Sequence, residues 1–286
     1  DLKTDYFRSA MAHKIKGGLD ERNKLTVWDH KVSCSSLITH LGGKLKNGID
    51  GYCLWGLWDK PESPVKANMT YKFPNFSVNL VLSDLPIPVA PFRSVQNAPN
   101  AFATESFIDE MAHMARKDPL NFRLESLTDD KRASRVLESV ALNSNWGKPL
   151  PTGWGRGIAQ HRSFGTTIAE VVEVSVNAKS GVIQVHRVDV AVDCGPVVNP
   201  DPLEAQIQGA VALGVSTTLF EEVQFANGGV ASANFDDYRI LRMSENPEVS
   251  VHIVASNDDI GGIGEPGIMP LAPAVANAVF NATGVR

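Results

Sequence analysis

The stretch GGIGEPG (Gly261–Gly267) sets a single carboxylate, Glu265, among four glycines and a proline. Glycines let the backbone approach a bound group closely, and Pro266 stiffens the position after Glu265 while restricting Glu265 itself to extended geometry. A carboxylate held in this way suits general-base chemistry. A strand end and an apolar helix flank it, so partial desolvation is expected to raise its pKa and make it a better proton acceptor. The same residues also fit a surface glutamate between two turns.

Two further loops carry polar groups that could face a ligand. In PFRSVQNAPN (Pro91–Asn100), Arg93 precedes a helix N-terminus, with Gln96 and Asn97 as neutral donors. Free amides and the helix dipole favour an anion-rich group there, although an arginine packing its stem on a strand fits as well. The third loop, VDCGPVVNP (Val192–Pro200), leads into a helix carrying Gln206 and Gln208, whose amides suit either a polar ligand or solvent. No P-loop, no strand–GxGxxG, no GxSxG elbow and no HExxH occurs, which removes the common nucleotide, serine-hydrolase and zinc-protease readings. The cysteines Cys34, Cys53 and Cys194 are odd in number and widely spaced, so a zinc or iron–sulfur site made by this chain alone is not expected. Buried free thiols are the favoured reading, with a Cys34–Cys53 disulfide as the alternative in an oxidising compartment.

The elements that must position these loops follow from hydrophobic period. Alternation over 11–34 around GLDERNK predicts a hairpin, and FSVNLVLS (Phe76–Ser83) reads as a buried strand. Phe107, Ile108, Met111, Ala112 and Ala115 fall on one helical face, Pro119 restarts a helix, and 101–144 is read as helical. The Gly- and Pro-rich string over 144–157 divides the chain into a first lobe, 1–143, bearing the Arg93 loop, and a second, 144–286, bearing the Glu265 loop. Two long alternating runs joined at 178–181 predict an antiparallel pair. A buried helix over 200–219, a strand over 249–256 and an apolar helix after the Glu265 loop complete an α+β pattern of antiparallel sheets with packed helices.

Composition bounds the function classes. The 286 residues carry 27 Lys plus Arg against 32 Asp plus Glu, a net charge of −5 with no basic cluster, so nucleic acid is excluded as a partner. No apolar run approaches the roughly 20 residues of a membrane helix. The opening DLKTDYF reads as the middle of something longer.

Taken in order, PFRS, VDCGPVVNP, AQIQGA (Ala205–Ala210) and GIGEPG before an apolar helix resemble the molybdenum-binding subunit of the xanthine oxidase family, in its isoquinoline 1-oxidoreductase beta-subunit and aldehyde dehydrogenase branch. The resemblance runs from about Asp5 to Arg286 and corresponds to the C-terminal half of that subunit. It implies a molybdopterin-binding fold and a molybdenum-dependent oxidoreductase that hydroxylates an aldehyde or N-heteroaromatic substrate with oxygen from water. Glu265 would be the general base beside molybdenum without ligating it. Arg93, Gln96, Asn97, Gln206, Gly262 and Gly264 would contact a molybdenum–pterin cofactor, in its cytosine dinucleotide form. Val95 would line the substrate pocket where xanthine oxidoreductases carry a phenylalanine. The family's GGGFGG-type and MGQG-type loops are absent from this chain, so the cofactor would be shared with the N-terminal half or a second chain. Iron–sulfur clusters would sit on a partner subunit, with a flavoprotein or cytochrome c as a further partner, in the periplasm or cytoplasm. A non-catalytic assembly subunit is the competing reading.

Overall fold

A computed structural model of the chain describes residues 5–58, 69–127 and 130–286. The opening alternation forms β1 (Met11–Leu19) and β2 (Leu25–Cys34), paired antiparallel as the sequence predicts. Their turn closes because Asp20 Oδ1 accepts the amides of Arg22 and Lys24 at 2.9 and 2.8 Å. β3 (Asn75–Leu82) adds to β2 in parallel as an edge strand, and here the expectation of a buried strand is corrected. Val78 and Leu80 pack beside Leu54 and Leu57, whereas Val81, on the opposite face, is 59% exposed. An apolar alternation fixes which face turns inward; it does not supply a layer over the other.

After a short helix α1 (Leu37–His40), three helices follow: α2 (Asn97–Met114), α3 (Pro119–Ser126) and α4 (Lys131–Asn143). The last two start where Asp118 and Asp130 accept the amides of Asn121 and Ala133, both at 3.0 Å, satisfying donors that a helix end leaves open. The central sheet runs β4 (Trp154–Ser163), β5 (Thr166–Val176), β6 (Ile183–Asp193) and then, after a small hairpin β7 (Phe225–Ala226) and β8 (Gly229–Val230), β9 (Glu248–Ile253). Its order is β4-β5-β6-β9, antiparallel except for the parallel β6–β9 pair. Helix α5 (Pro200–Leu219) links β6 towards β7, and α6 (Leu271–Thr283) follows the Glu265 loop.

Alternation along β4–β6 feeds two cores. Ile158, Ala169, Val171 and Ala191 join residues of α2, α3 and α4, while Ala159, Ile168, Val172, Val188, Val190 and Val192 meet α5 and α6. The sheet thus lies between two helical layers, and the first core draws residues from both sides of position 144. A buried polar knot ties the layers: Arg123 Nε donates to Glu105 at 2.9 Å, Tyr71 Oη donates to the same carboxylate at 2.6 Å, and Asn277 Nδ2 reaches Ile158 O at 3.1 Å. Burial pushes the Glu105 carboxyl up, opposed by Arg123 and the Tyr71 hydrogen bond. Among the described residues no helix is long and apolar enough to cross a membrane. Cys34, Cys53 and Cys194 are buried free thiols.

Candidate active site

The Glu265 loop leaves the sheet at the end of β9, runs beside the end of β6 and leads into α6. Asp193 anchors its base: the carboxylate accepts from Gly195 N at 3.1 Å and Ser256 Oγ at 2.7 Å, and pairs with Arg132 and Arg135 at 2.9 and 3.0 Å. Burial alone would raise the Asp193 pKa, but these hydrogen bonds overcome it and hold the group below the usual carboxylate value. Gly195 turns at φ +79°, and a Cβ there would stand 2.7 Å from Asp258 O, so the strand end and the 257–260 segment touch through bare backbone.

The loop then lies along the β4–β5 turn. Gly262 N donates to Phe164 O at 2.7 Å, and Thr166 Oγ1 donates to Gly262 O at 2.7 Å. At Gly261 a Cβ would meet Thr166 Oγ1 at 2.4 Å, and at Gly267 it would meet the Ala210 Cβ at 2.7 Å, so close packing accounts for these two glycines. Glu265 is half-buried at φ −123°, ψ −29°. The extended conformation expected before Pro266 is therefore not adopted. Pro266 opens a single 3₁₀ turn, Pro266–Ile268, in which Ile268 N donates to Glu265 O at 3.2 Å, and that turn draws ψ of Glu265 out of the β region.

Two of the sequence-predicted residues converge on this backbone. Arg93 donates from Nε at 2.8 Å and from Nη2 at 2.5 Å to Gly264 O, across 171 positions of sequence, and Gln206 Nε2 approaches the same carbonyl at 3.5 Å. Ser94 Oγ donates to Glu265 O at 3.0 Å. Through Nε and Nη2, Arg93 thus clamps the loop that carries Glu265. Its partial burial lowers its pKa and the Glu265 carboxylate offsets this. Gln96 and Asn97 sit deeper, at 1% and 0% exposure. Asn97 Oδ1 bonds His161 Nε2 at 3.1 Å, and Gln96 Nε2 and Asn97 Nδ2 have no hydrogen-bond partner among the described residues. Burial lowers the His161 pKa to about 3, with Arg162 adding to the effect, so its ring is neutral and the Nε2 proton points at Asn97.

Val95 is 8% exposed, packed with Leu37, Trp55 and Val89. Its isopropyl group fills a small core beneath the loop. Beside Gln206 a cavity of about 450 Å³ is lined by Cys194, Asn199, Leu203, Ile260, Gly261 and Ile263. Besides Ser94, which lies inside PFRS, two participants escaped sequence reasoning: Arg8, whose guanidinium grips the Arg93 loop, and Phe164, whose carbonyl holds Gly262. Neither belongs to a motif; both act through backbone contacts at long range in sequence.

Residues 109–247 match the family model described as molybdopterin cofactor-binding domain. The chain is 30% identical over its whole length to a membrane-bound aldehyde dehydrogenase (pyrroloquinoline-quinone) of Gluconacetobacter polyoxogenes, of which it spans 39%. It is 30% identical over 99% of its length to the isoquinoline 1-oxidoreductase subunit beta of Brevundimonas diminuta, of which it spans 36%. Among solved structures, quinoline 2-oxidoreductase from Pseudomonas putida 86 superposes with a TM-score of 0.74 over 96% of this chain and 59% of that one, at 12% identity, a likeness of fold.

Proposed function

The chain belongs to the molybdopterin cofactor-binding family, and on that premise we propose that it forms part of the catalytic subunit of a molybdenum hydroxylase in which Glu265 is the general base. The observation that carries this reading is the convergence of Arg93, Ser94 and Gln206 on the two carbonyls that flank the Glu265 Cα. A base must be held within hydrogen-bond reach of the proton it takes, and three side chains from two distant segments hold this one.

A molybdenum–pterin cofactor fits the donor set. Its pterin and phosphates are rich in acceptors, and the loop offers the Arg93 guanidinium, the Gln206 amide and two buried amide nitrogens, Gln96 Nε2 and Asn97 Nδ2, that lack partners among the described residues. Arg93, Gln96, Asn97 and Gln206 would hold the cofactor, with Gly262 and Gly264 admitting it close to the backbone. When bound, the group supplies two-electron redox chemistry with water as the oxygen source. Glu265 takes a proton at a carboxylate oxygen, and the clamp on Gly264 and Glu265 keeps that oxygen aimed. Val95 supports the loop from below. An aldehyde or an electron-poor N-heteroaromatic is the substrate class. Because the chain spans under two-fifths of the two relatives, the rest of the cofactor cradle is assigned to the remaining sequence or to a second chain. The cytosine dinucleotide form, an iron–sulfur subunit and a flavoprotein or cytochrome c acceptor complete the proposal.

The test is turnover of the assembled complex in ¹⁸O-labelled water with aldehyde and N-heteroaromatic substrates, alongside elemental analysis. Molybdenum in the complex and label in the product support the reading; turnover without label, or a complex free of molybdenum, overturns it.

A further inference from the structure

Arg8 stands apart from every motif, yet it bridges the loop on which the site depends. Its Nη1 donates to Val95 O at 2.5 Å and its Nη2 to Arg93 O at 3.0 Å, while the guanidinium carbon lies 4.6 Å from the centre of the Phe92 ring. Between the two gripped carbonyls the backbone takes left-handed values at consecutive non-glycine residues, φ +76° at Ser94 and +47° at Val95. A kink of that kind persists only where the surroundings hold it. Its consequence is the orientation of Arg93 and Ser94, which donate to Gly264 O and Glu265 O. Those two carbonyls belong to the peptide planes on either side of the Glu265 Cα, so fixing both fixes the direction of its Cα–Cβ bond.

We propose that Arg8 is a positioning residue for Glu265: its planar fork locks the Arg93–Val95 kink, and the kink locks the backbone that aims the carboxylate. The inference rests on the reading of Glu265 as the base. The charged groups around Arg8 agree with the placement. Burial lowers its pKa to about 10, opposed by the carboxylates of Glu221 and Glu265, so it stays a cation at neutral pH. Glu221 is itself held, accepting from Tyr238 Oη at 2.7 Å. A lysine could keep the charge, but one ammonium cannot reproduce a rigid two-pronged fork.

The experiment uses the assembled complex with Arg8→Met, Arg8→Lys and Glu265→Gln, reading amide hydrogen exchange, molybdenum content and steady-state kinetics. For Arg8→Met, exchange over 261–268 should quicken by at least about tenfold while β5 and β6 keep their wild-type rates. Turnover should fall by at least about tenfold, with KM within about threefold and molybdenum retained, since a misaimed base lowers kcat while leaving substrate binding intact. Arg8→Lys should recover less than about half of the lost protection. Exchange over 261–268 within about twofold of wild type, or an acceleration spread equally over the central sheet, overturns the proposal. If Glu265→Gln turns over normally, the base reading fails on its own, and the exchange data still decide whether Arg8 fixes the loop.

Discussion

Helix α6 rests on β4 through two glycines, and replacing one of them tests how closely the element behind the Glu265 loop is seated. A Cβ on Gly157 would lie 2.1 Å from Ala274 O, 2.3 Å from Ala278 N and 2.9 Å from the Asn277 carbonyl carbon. Non-bonded atoms rest at roughly 3.5 Å, so the helix must retreat by more than about 1 Å. All three obstructing atoms are backbone, and no rotamer change relieves them. Overpacking costs about 1–3 kcal/mol, and Gly157→Ala belongs at the upper end. At about 2–4 °C per kcal/mol for a chain of this size, calorimetry should show Tm lowered by roughly 6–12 °C. The displaced helix begins directly after the Pro266–Ile268 turn, so turnover should fall with it. The control is Gly209→Ala on the exposed face of α5, where an added Cβ meets nothing within 4 Å and should raise stability by about 0.5–1 kcal/mol. A Gly157→Ala melting point within about 2 °C of wild type would refute the close seating of α6.

Other outcomes follow from the buried polar groups. Arg123→Met leaves Glu105, 1% exposed, without its cation, and should destabilise the chain by about 3–5 kcal/mol, measured by urea denaturation. His161 stays neutral in the folded chain down to about pH 3, whereas the unfolded chain protonates it below about 6.5. The unfolded state therefore binds the extra proton between those values, stability falls as pH falls through that window, and the loss approaches about 1.4 kcal/mol per pH unit. His161→Gln should flatten that part of the stability profile; an unchanged slope would contradict a buried neutral imidazole. Ellman's reagent should find no thiol in the native chain and three after unfolding, and fewer than three would indicate a disulfide.

How far the residues foretold the structure depended on whether the governing contacts were local. Helix α5 runs over Pro200–Leu219 as its period predicts, because Asn199 caps it by accepting the Asp201 amide at 3.2 Å and the Leu203, Ile207, Val211 and Gly214 stripe is buried. Its other face, including Gln206 and Gln208, is exposed, so the helix is covered on one side rather than all round. The β1–β2 hairpin was equally legible from its period and its turn. β3 departs from expectation because an apolar pattern does not say whether its second face is covered, and among the described residues Val81 on that face is exposed. At the site, Arg93, Gln206 and Glu265 stood out by residue type and spacing, but the bond from Arg93 to Gly264 O spans 171 positions and no local pattern encodes it. The same holds for Arg8. Pro266 misled in a different way: its local bias towards an extended Glu265 lost to the 3₁₀ turn and to the hydrogen bond from Ser94.

The central claim is that Glu265 is a base held in aim by the Arg93 loop, and Glu265→Gln in the assembled complex tests it most directly. Glutamine keeps the size of the side chain and removes its ability to accept a full proton. With molybdenum content equal to wild type, kcat should fall by at least about a hundredfold, the range expected for loss of general-base catalysis. Turnover within about threefold of wild type, with molybdenum bound, would contradict the account.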